Sequence, residues 1–178
     1  SMVIKAVAGG GGRGMRVVTS TAEIEPLYKR CQSEALRAFG SGDVFVEERM
    51  YPARHIEIQV VADGSGGITH LWERDCSIQR RHQKLIEIAP SPMLSAALRE
   101  QLAADAVRLA ASTGYRGLGT FEFLVGADAA TDSGGWYAFI EANPRLQVEH
   151  TITEEVFGVD LVKVQLHIAA GSTLADLG

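Results

Sequence analysis

The sequence of 178 residues predicts an α+β fold with mostly antiparallel strands. Three observations predict it. Strand-like and helix-like stretches follow one another without the regular alternation of a parallel α/β sheet. A glycine run at 9–14 is flanked on both sides by strand-like residues, in "IKAVAGGGGRGMRVV". Two apolar, alternating stretches, "GTFEFLV" and "WYAFIEAN", stand on either side of a polar loop, as in a hairpin.

The elements follow in order. Residues 3–7 and 15–18 read as strands around the glycines. Ile24, Leu27, Tyr28, Cys31, Ala35, Ala38 and Phe39 have helical spacing, with Pro26 suited to the first turn and Gly40 a stop. Asp43–Glu48 is a short strand, and 54–62, "RHIEIQVVA", alternate before a turn at 63–67. Residues 68–73 and about 82–89 are further strands, ended by Pro90 and Pro92. A second helix over about 95–113 carries Leu98, Leu102, Ala106, Leu109 and Ala110 on one face. The hairpin comes next, and a last helix runs over about 159–170 to Gly171. Val3–Val7 already reads as a strand directly after Ser1-Met2, so the chain is expected to be a piece of a longer protein.

Composition narrows the function. Hydrophobic residues make up 46%, charged residues 22%, and the net charge is −5 with pI near 5.5. No face is dominated by Lys and Arg, which argues against a nucleic-acid partner. No apolar run approaches the ~20 residues of a membrane span, and no stretch has the pattern of a secretory signal. Cys31 and Cys76 fit no metal or redox spacing and read as reduced thiols of a cytoplasmic protein.

Five glycines in six positions point to a loop that approaches a phosphate. Gly9, Gly11 and Gly14 satisfy G-x-G-x-x-G, but a dinucleotide loop must open a helix, and strand-like "MRVV" follows. Gly9 and Gly14 also have P-loop spacing, but Met15-Arg16 stands where Lys-Ser/Thr is required. There remains a loop between antiparallel strands that closes over a nucleotide like a lid, with Lys5 beside it as a cation for phosphate; a hairpin without ligand is the plain alternative.

The hairpin carries a metal signal. Thr120, Glu122 and Leu124 share one face of the first strand; Tyr137, Phe139, Glu141 and Asn143 share one face of the second. A loop centred near 130–131 pairs Val125 with Trp136, which puts Glu122 opposite Phe139 and diagonal to Glu141. Two close carboxylates call for a cation between them. Glu122, Glu141 and the Asn143 amide are oxygen donors, suited to Mg²⁺ or Mn²⁺ carried with nucleotide phosphates. A register slip of one residue would undo this.

Two more stretches are dense in polar chemistry: "NPRLQVEH" directly after the apolar strand, and "RDCSIQRRHQK", with Arg74, Arg80, Arg81, His82 and Lys84. Each reads either as a solvated segment or as a strand end that presents charge to an anionic ligand.

Together these stretches, with "RHIEIQV" and "FIEANPRLQVEHTITEEVFGVDLVKVQLHIAAG", resemble the ATP-grasp domain of biotin carboxylase over nearly the whole chain. This family serves acetyl-CoA, propionyl-CoA and pyruvate carboxylases. The resemblance implies an ATP-grasp fold in which 1–48 is a partial lid subdomain and 49–178 a core subdomain with metal and bicarbonate sites. It implies ATP, Mg²⁺ (or Mn²⁺) and biotin as the groups handled, and bicarbonate, a biotin carboxyl carrier and a carboxyltransferase as partners. The ATP contacts would be Lys5, Gly11, Gly12, Glu47, Glu48, Met50, His55, Gln79, His82 and Leu124. The family often has lysine where Glu48 stands. The metal ligands would be Glu122, Glu141 and Asn143, and the bicarbonate site Lys84, Arg145 and Val148. Glu149 would be the base that removes the bicarbonate proton, with Arg145 and Lys84 as its catalytic companions. The chain lacks the family's preceding nucleotide-fold domain and its C-terminal region, so by itself it is expected to be inactive. Another ATP-grasp carboxylate-amine ligase, or a module that only binds nucleotide, is the alternative.

Overall fold

The computed structural model describes residues 1–9, 13–127 and 135–178. It confirms a mixed helical and antiparallel fold in two compact units, residues 1–51 with 79–83, and residues 52–78 with 84–178. Gly11 and Gly12, two of the expected ATP contacts, and most of the polar hairpin loop lie outside the described residues.

In the first unit, β1 (Met2–Ala6) pairs antiparallel with both β2 (Met15–Val18) and β3 (Val44–Glu48), in the order β2-β1-β3. The glycine run therefore joins two antiparallel strands, which rules out the helix-opening loop of a dinucleotide site. The loop's neck needs glycine at Gly14, whose φ is 68° and where a Cβ would meet the Ala6 side chain at 2.8 Å. Helix α1 (Ile24–Phe39) follows a 3₁₀ turn at Thr21–Glu23. It begins two residues before Pro26, which sits within the first turn, where N–H groups lack helical acceptors anyway. Gly40 ends it in the left-handed region with φ 78°. Cys31 packs in a core with Ile4 and Val18 and Ala35 is buried too, whereas Tyr28 and Ala38 of the expected apolar face are exposed.

The second unit holds a sheet in the order β6-β5-β4-β7-β8: β4 (Ala53–Ala62), β5 (Ile68–Arg80), β6 (Gln83–Ile88), β7 (Gly117–Gly126) and β8 (Tyr137–Asn143). Where two strands were expected at 68–73 and 82–89, β5 runs on through the basic stretch to Arg80. Arg81 and His82 then form a two-residue connection, both with positive φ (53° and 63°), as a type I′ hairpin turn requires.

One face of this sheet is closed by α2 (Ala96–Ser112), capped by the Ser95 hydroxyl. Its Leu98, Leu102, Ala106 and Ala110 pack on Ile56, Ile58, Val60, Phe121, Phe123 and Val125. The opposite face is apolar at one end, where α4 (Leu161–Ala169) sets Leu161 and Ile168 against Val61 and Leu118. Further along that face come Gln59, Glu57 and Glu122, all buried. Alternation in β4 is thus real, but its polar face is covered rather than solvated. Two helices escaped the sequence reading: α3 (His150–Phe157) and the short α5 (Leu174–Leu177). The β-branched run in "HTITEEVF" favours strand locally, and tertiary packing overrides it. Among the described residues, no helix is long and apolar enough to cross a membrane.

Asp63 ties the turn after β4 to the C-terminal end of the unit. Its carboxylate accepts from Ser65 N (2.8 Å), Ser65 Oγ (2.7 Å), Gly67 N (2.9 Å) and Leu174 N (2.8 Å). These donors, Leu174 N–H first, hold its pKa down at about 2. A depressed carboxylate stabilises the fold above its unfolded value, about 3.9, and loses that contribution as pH falls toward 2. Asp63→Asn is therefore expected to lower the melting temperature at pH 7, with the gap to wild type closing as pH falls from 4 to 2. A gap independent of pH would show that the carboxylate charge is not what the turn uses.

Candidate active site: a lysine among carboxylates

The polar face is built by three antiparallel strands in register. Glu57 on β4 stands opposite Glu122 on β7, and Glu122 stands opposite Glu141 on β8. The β7–β8 register corrects the expectation. Val125 pairs with Tyr137, not Trp136, and a shift between Phe123 and Glu122 leaves Ile140 as the extra residue of a β-bulge. Without the bulge Glu122 would face Ile140. With it, Phe139 pairs with Phe123 on the core side, and Glu141 turns to the other side, opposite Glu122. Phe139 and Glu141 therefore do not share a face, although Glu122 and Glu141 do. The core-side placement is visible in the ring contacts of Phe123 with Tyr137 and Phe139.

Side-by-side carboxylates repel, and two cationic or amide donors answer them. Lys84 Nζ donates to Glu57 Oε2 (2.5 Å), Glu122 Oε1 (3.0 Å) and Glu149 Oε1 (2.7 Å). Burial opposes its charge, but Glu57, Glu122 and Glu149 outweigh that and raise its pKa. Asn143 Nδ2 donates to Glu122 Oε1 (2.9 Å) and to Glu141 Oε1 (3.2 Å), spanning the expected metal pair. The His55 ring meets Glu122 Oε2 at 2.5 Å. Burial pushes the Glu122 pKa up, yet His55 and Lys84 together bring it well below the usual range. Glu149 is lowered as well: burial raises it, but the Lys84 hydrogen bond prevails.

The structure thus gathers His55, Lys84, Glu122, Glu141, Asn143 and Glu149, and sets Leu124 beside His55 in the β4–β7 register. Glu149 reaches the cluster because it is the N-cap of α3, its side chain turned to Lys84 rather than capping the helix. Arg145 and Val148 are exposed, Val148 by 90%, and the Arg145 guanidinium donates to the Leu146 carbonyl at 3.3 Å. The Arg145 backbone N–H donates to the Asn143 carbonyl (2.8 Å), so Arg145 is tied to the cluster through its main chain while its guanidinium points elsewhere. In the first unit, Lys5 is ion-paired with Glu47, its diagonal neighbour across β1 and β3. Glu48 ends β3, Met50 lies two residues beyond it, Gln79 is the last but one residue of β5, and His82 is the second residue of the β5–β6 turn.

The basic stretch divides. Arg80, Arg81 and His82 are exposed, whereas Arg74 is fully buried. Two cluster members were missed as site residues. Gln147, 7% exposed, donates to Glu122 Oε1 (3.2 Å) and accepts from Thr120 Oγ1 (2.8 Å). Glu57 had a signal: a lone carboxylate between isoleucines in "HIEIQ" is costly unless something pairs with it.

The donor set suits a hard divalent cation at Glu122, Glu141 and Asn143, all oxygen ligands on one face. Glu57, Cys76 and Glu149 also bring ligand-type atoms within 4.8 Å of one another. There the Lys84 ammonium already bonds both carboxylates, and burial and then Glu57 push the Cys76 thiol pKa up, away from thiolate.

Comparison with known proteins shows the family and the fold. Residues 1–177 match the family described as "Carbamoyl-phosphate synthase L chain, ATP binding domain". The chain is 55% identical over 177 residues to pyruvate carboxylase of Aspergillus niger, covering 99% of this chain and 14% of that protein. The mitochondrial pyruvate carboxylase of Homo sapiens gives the same figures, 55%, 99% and 14%. Among solved structures, a biotin carboxylase–β-γ-ATP complex from Campylobacter jejuni is similar, with a TM-score of 0.92 and 46% identity, over 97% of this chain and 37% of that one. The biotin carboxylase domain of Hydrogenobacter thermophilus 2-oxoglutarate carboxylase, solved with MgADP, ADP and bicarbonate, has a TM-score of 0.88 and 47% identity, over 97% and 37%. The chain spans 14% of the length of these curated relatives. It belongs to the family of carbamoyl-phosphate synthase L chain ATP-binding domains, and within that family it is an ATP-grasp domain of the biotin carboxylase type.

Proposed function

We propose that the protein carrying this chain carboxylates biotin with ATP and bicarbonate, as the first half-reaction of a biotin-dependent carboxylase. The observation that carries the reading is Lys84 Nζ, bonded at once to Glu149 and to the Glu122 of the metal set. An ammonium there marks where an anion would sit beside a carboxylate base. Glu149, held ionised by Lys84, takes the proton of bicarbonate. A bicarbonate oxygen then attacks the γ-phosphorus, the bond to ADP breaks, and carboxyphosphate forms. Carboxyphosphate releases CO₂ and phosphate, and biotin's ureido nitrogen gives its proton to that phosphate as it captures the CO₂. Lys84, Arg145 and the Val148 backbone bind bicarbonate. The planar Arg145 guanidinium, exposed and bound to its neighbour's carbonyl, is available to hold that anion and the biotin oxygen.

Lys5, Gly11, Gly12, Glu47, Glu48, Met50, His55, Gln79, His82 and Leu124 bind ATP in this reading. The Lys5 ammonium would exchange Glu47 for phosphate oxygens. Glu122, Glu141 and Asn143 hold Mg²⁺ or Mn²⁺, which when bound neutralises charge on the phosphate oxygens. Residues 1–48 would serve as part of a lid and 49–178 as the core. A carboxyl carrier bearing biotin and a carboxyltransferase would be the partners, and the buried thiols of Cys31 and Cys76, in no disulfide, support a reducing compartment such as the cytoplasm.

The test is ADP release by the full-length protein with bicarbonate and free biotin. Stimulation by biotin supports the reading; stimulation by an amino acid or amine instead supports a carboxylate-amine ligase. The 178-residue chain by itself is expected to show no biotin carboxylation. Glu141→Gln in the full-length protein is expected to reduce Mg²⁺-dependent ATP cleavage by at least about 10²-fold, since losing a metal ligand removes several kcal/mol of charge stabilisation. Near-wild-type cleavage at saturating Mg²⁺ would remove Glu141 from the metal set.

A further inference from the structure

We infer that Arg74 is a positioning residue for the Lys84–Glu149 pair, fixing both partners from one buried guanidinium. The inference rests on the biotin carboxylase reading above. Arg74 Nε donates to Glu57 Oε1 (2.5 Å), and Arg74 Nη1 donates to Gln59 Oε1 (2.9 Å) and Thr153 Oγ1 (2.8 Å). Arg74, Glu57 and Gln59 are 0% exposed and Thr153 is 1% exposed. From Glu57 the chain of contacts continues through its other oxygen to Lys84 (2.5 Å), and from Lys84 to Glu149 (2.7 Å). From Thr153 it returns along α3, whose N-cap is Glu149 itself. The result is a closed ring. Arg74 locates the ammonium through Glu57, and it locates the carboxylate through the helix that carries it.

Two features of the fold give up stability to put Arg74 there. The first is the register of β5. Carried on unchanged, the pairing of Val60 with His70 would set Glu73 opposite Glu57, carboxylate against carboxylate. A bulge at Leu71-Trp72 shifts the pairing so that Arg74 faces Glu57, and Glu73 moves to the other face to meet Arg99 Nε (2.8 Å). The bulge holds Trp72 at φ 54°, an unfavourable backbone conformation for a residue with a Cβ. The second feature is the burial of the charge. Arg74 Nη2 has no hydrogen-bond partner, so the guanidinium is not fully compensated for leaving water. Apolar residues of similar volume usually hold a core equally well. A strained bulge and an undercompensated charge that converge on one side chain fit a requirement for geometry at the site, where small misplacements are expensive in rate.

Thr153 gives the cleanest test, since its hydroxyl is removed without loss of shape. In the full-length protein, Thr153→Val is expected to lower kcat for biotin carboxylation by about 10–10²-fold, the scale of a misplaced catalytic pair. KM for MgATP should stay within about twofold, because the ring binds no nucleotide. Thr153→Ser, which restores the hydroxyl, should restore kcat. Arg74→Lys keeps the charge but cannot reach Glu57 and Thr153 together, so it should lower kcat similarly, and the double variant should be little worse than either single one. Wild-type kcat in folded Thr153→Val overturns the inference. So does a loss of kcat matched by the loss of folded protein, with Arg74→Lys at wild-type kcat. Glu149→Gln serves as the reference. If it loses activity while Thr153→Val does not, the functional reading stands and only the positioning role fails. If the wild-type protein does not carboxylate biotin, the functional reading fails and this inference falls with it.

Discussion

Glu149→Gln is expected to lower biotin carboxylation by the full-length protein about 10²–10⁴-fold, the usual worth of a general base. The substitution keeps the shape of the side chain and one acceptor for Lys84 Nζ, now at 2.7 Å, so the loss falls on proton transfer rather than on folding. MgATP affinity should barely move, since Glu149 stands at the N-cap position of α3 with its side chain on Lys84, not on the metal set. The pH dependence adds a second reading. Lys84 holds the Glu149 carboxyl below its ordinary value of 4.5, so the base form persists at every pH above that and is lost only as pH falls below it. The acidic limb of kcat/KM due to this group should therefore lie below pH 4.5. Loss of ATP binding with an unaffected residual rate would make Glu149 a nucleotide-site residue instead.

Lys84→Met is expected to destabilise the fold by about 3–5 kcal/mol, the scale seen when one partner of a buried ion pair is removed. Glu57 would keep Arg74, but Glu122 and Glu149 would lose a hydrogen-bonded cation, and the directly opposed Glu57 and Glu122 would repel unscreened. The sign with pH follows from both sides of the pair. The lowered carboxylates stabilise above their ordinary 4.5 and lose that as pH falls through their folded values; the raised ammonium stabilises below its ordinary 10.5 and loses that as pH rises through its folded value. The difference between wild type and variant should thus be greatest between about pH 5 and 10 and shrink in acid, where protonated carboxyls no longer need the lysine. Chemical unfolding of both proteins across that range measures it. A variant as stable as wild type at pH 7 would mean that the carboxylates already share a proton and that Lys84 is not their counter-ion.

Most of the secondary structure was legible because it rests on local rules. Helical spacing over about 95–113 with Gly114 after it marked α2, and Gly40 marked the end of α1. Period-two alternation marked β4 and β7. The sequence by itself also determined which side chains are candidates: carboxylates and an amide on apolar strands, a basic stretch, and a polar segment after β8, in an order that resembles one family throughout. Tertiary structure alone decided how they meet. Alternation cannot reveal a bulge, since one extra residue reverses every later side chain. The Ile140 bulge is what sets Glu141 opposite Glu122, and the Trp72 bulge is what sets Arg74 opposite Glu57. Nor does alternation tell a solvated polar face from a covered one, which is why Glu57 and Gln147 were passed over until the fold enclosed them. Helix α3 formed against the local preference of its β-branched residues, and through it Glu149 reached a lysine 65 residues away in sequence. Contacts at that separation depend on the summed packing of the whole sheet, which no local window of sequence contains.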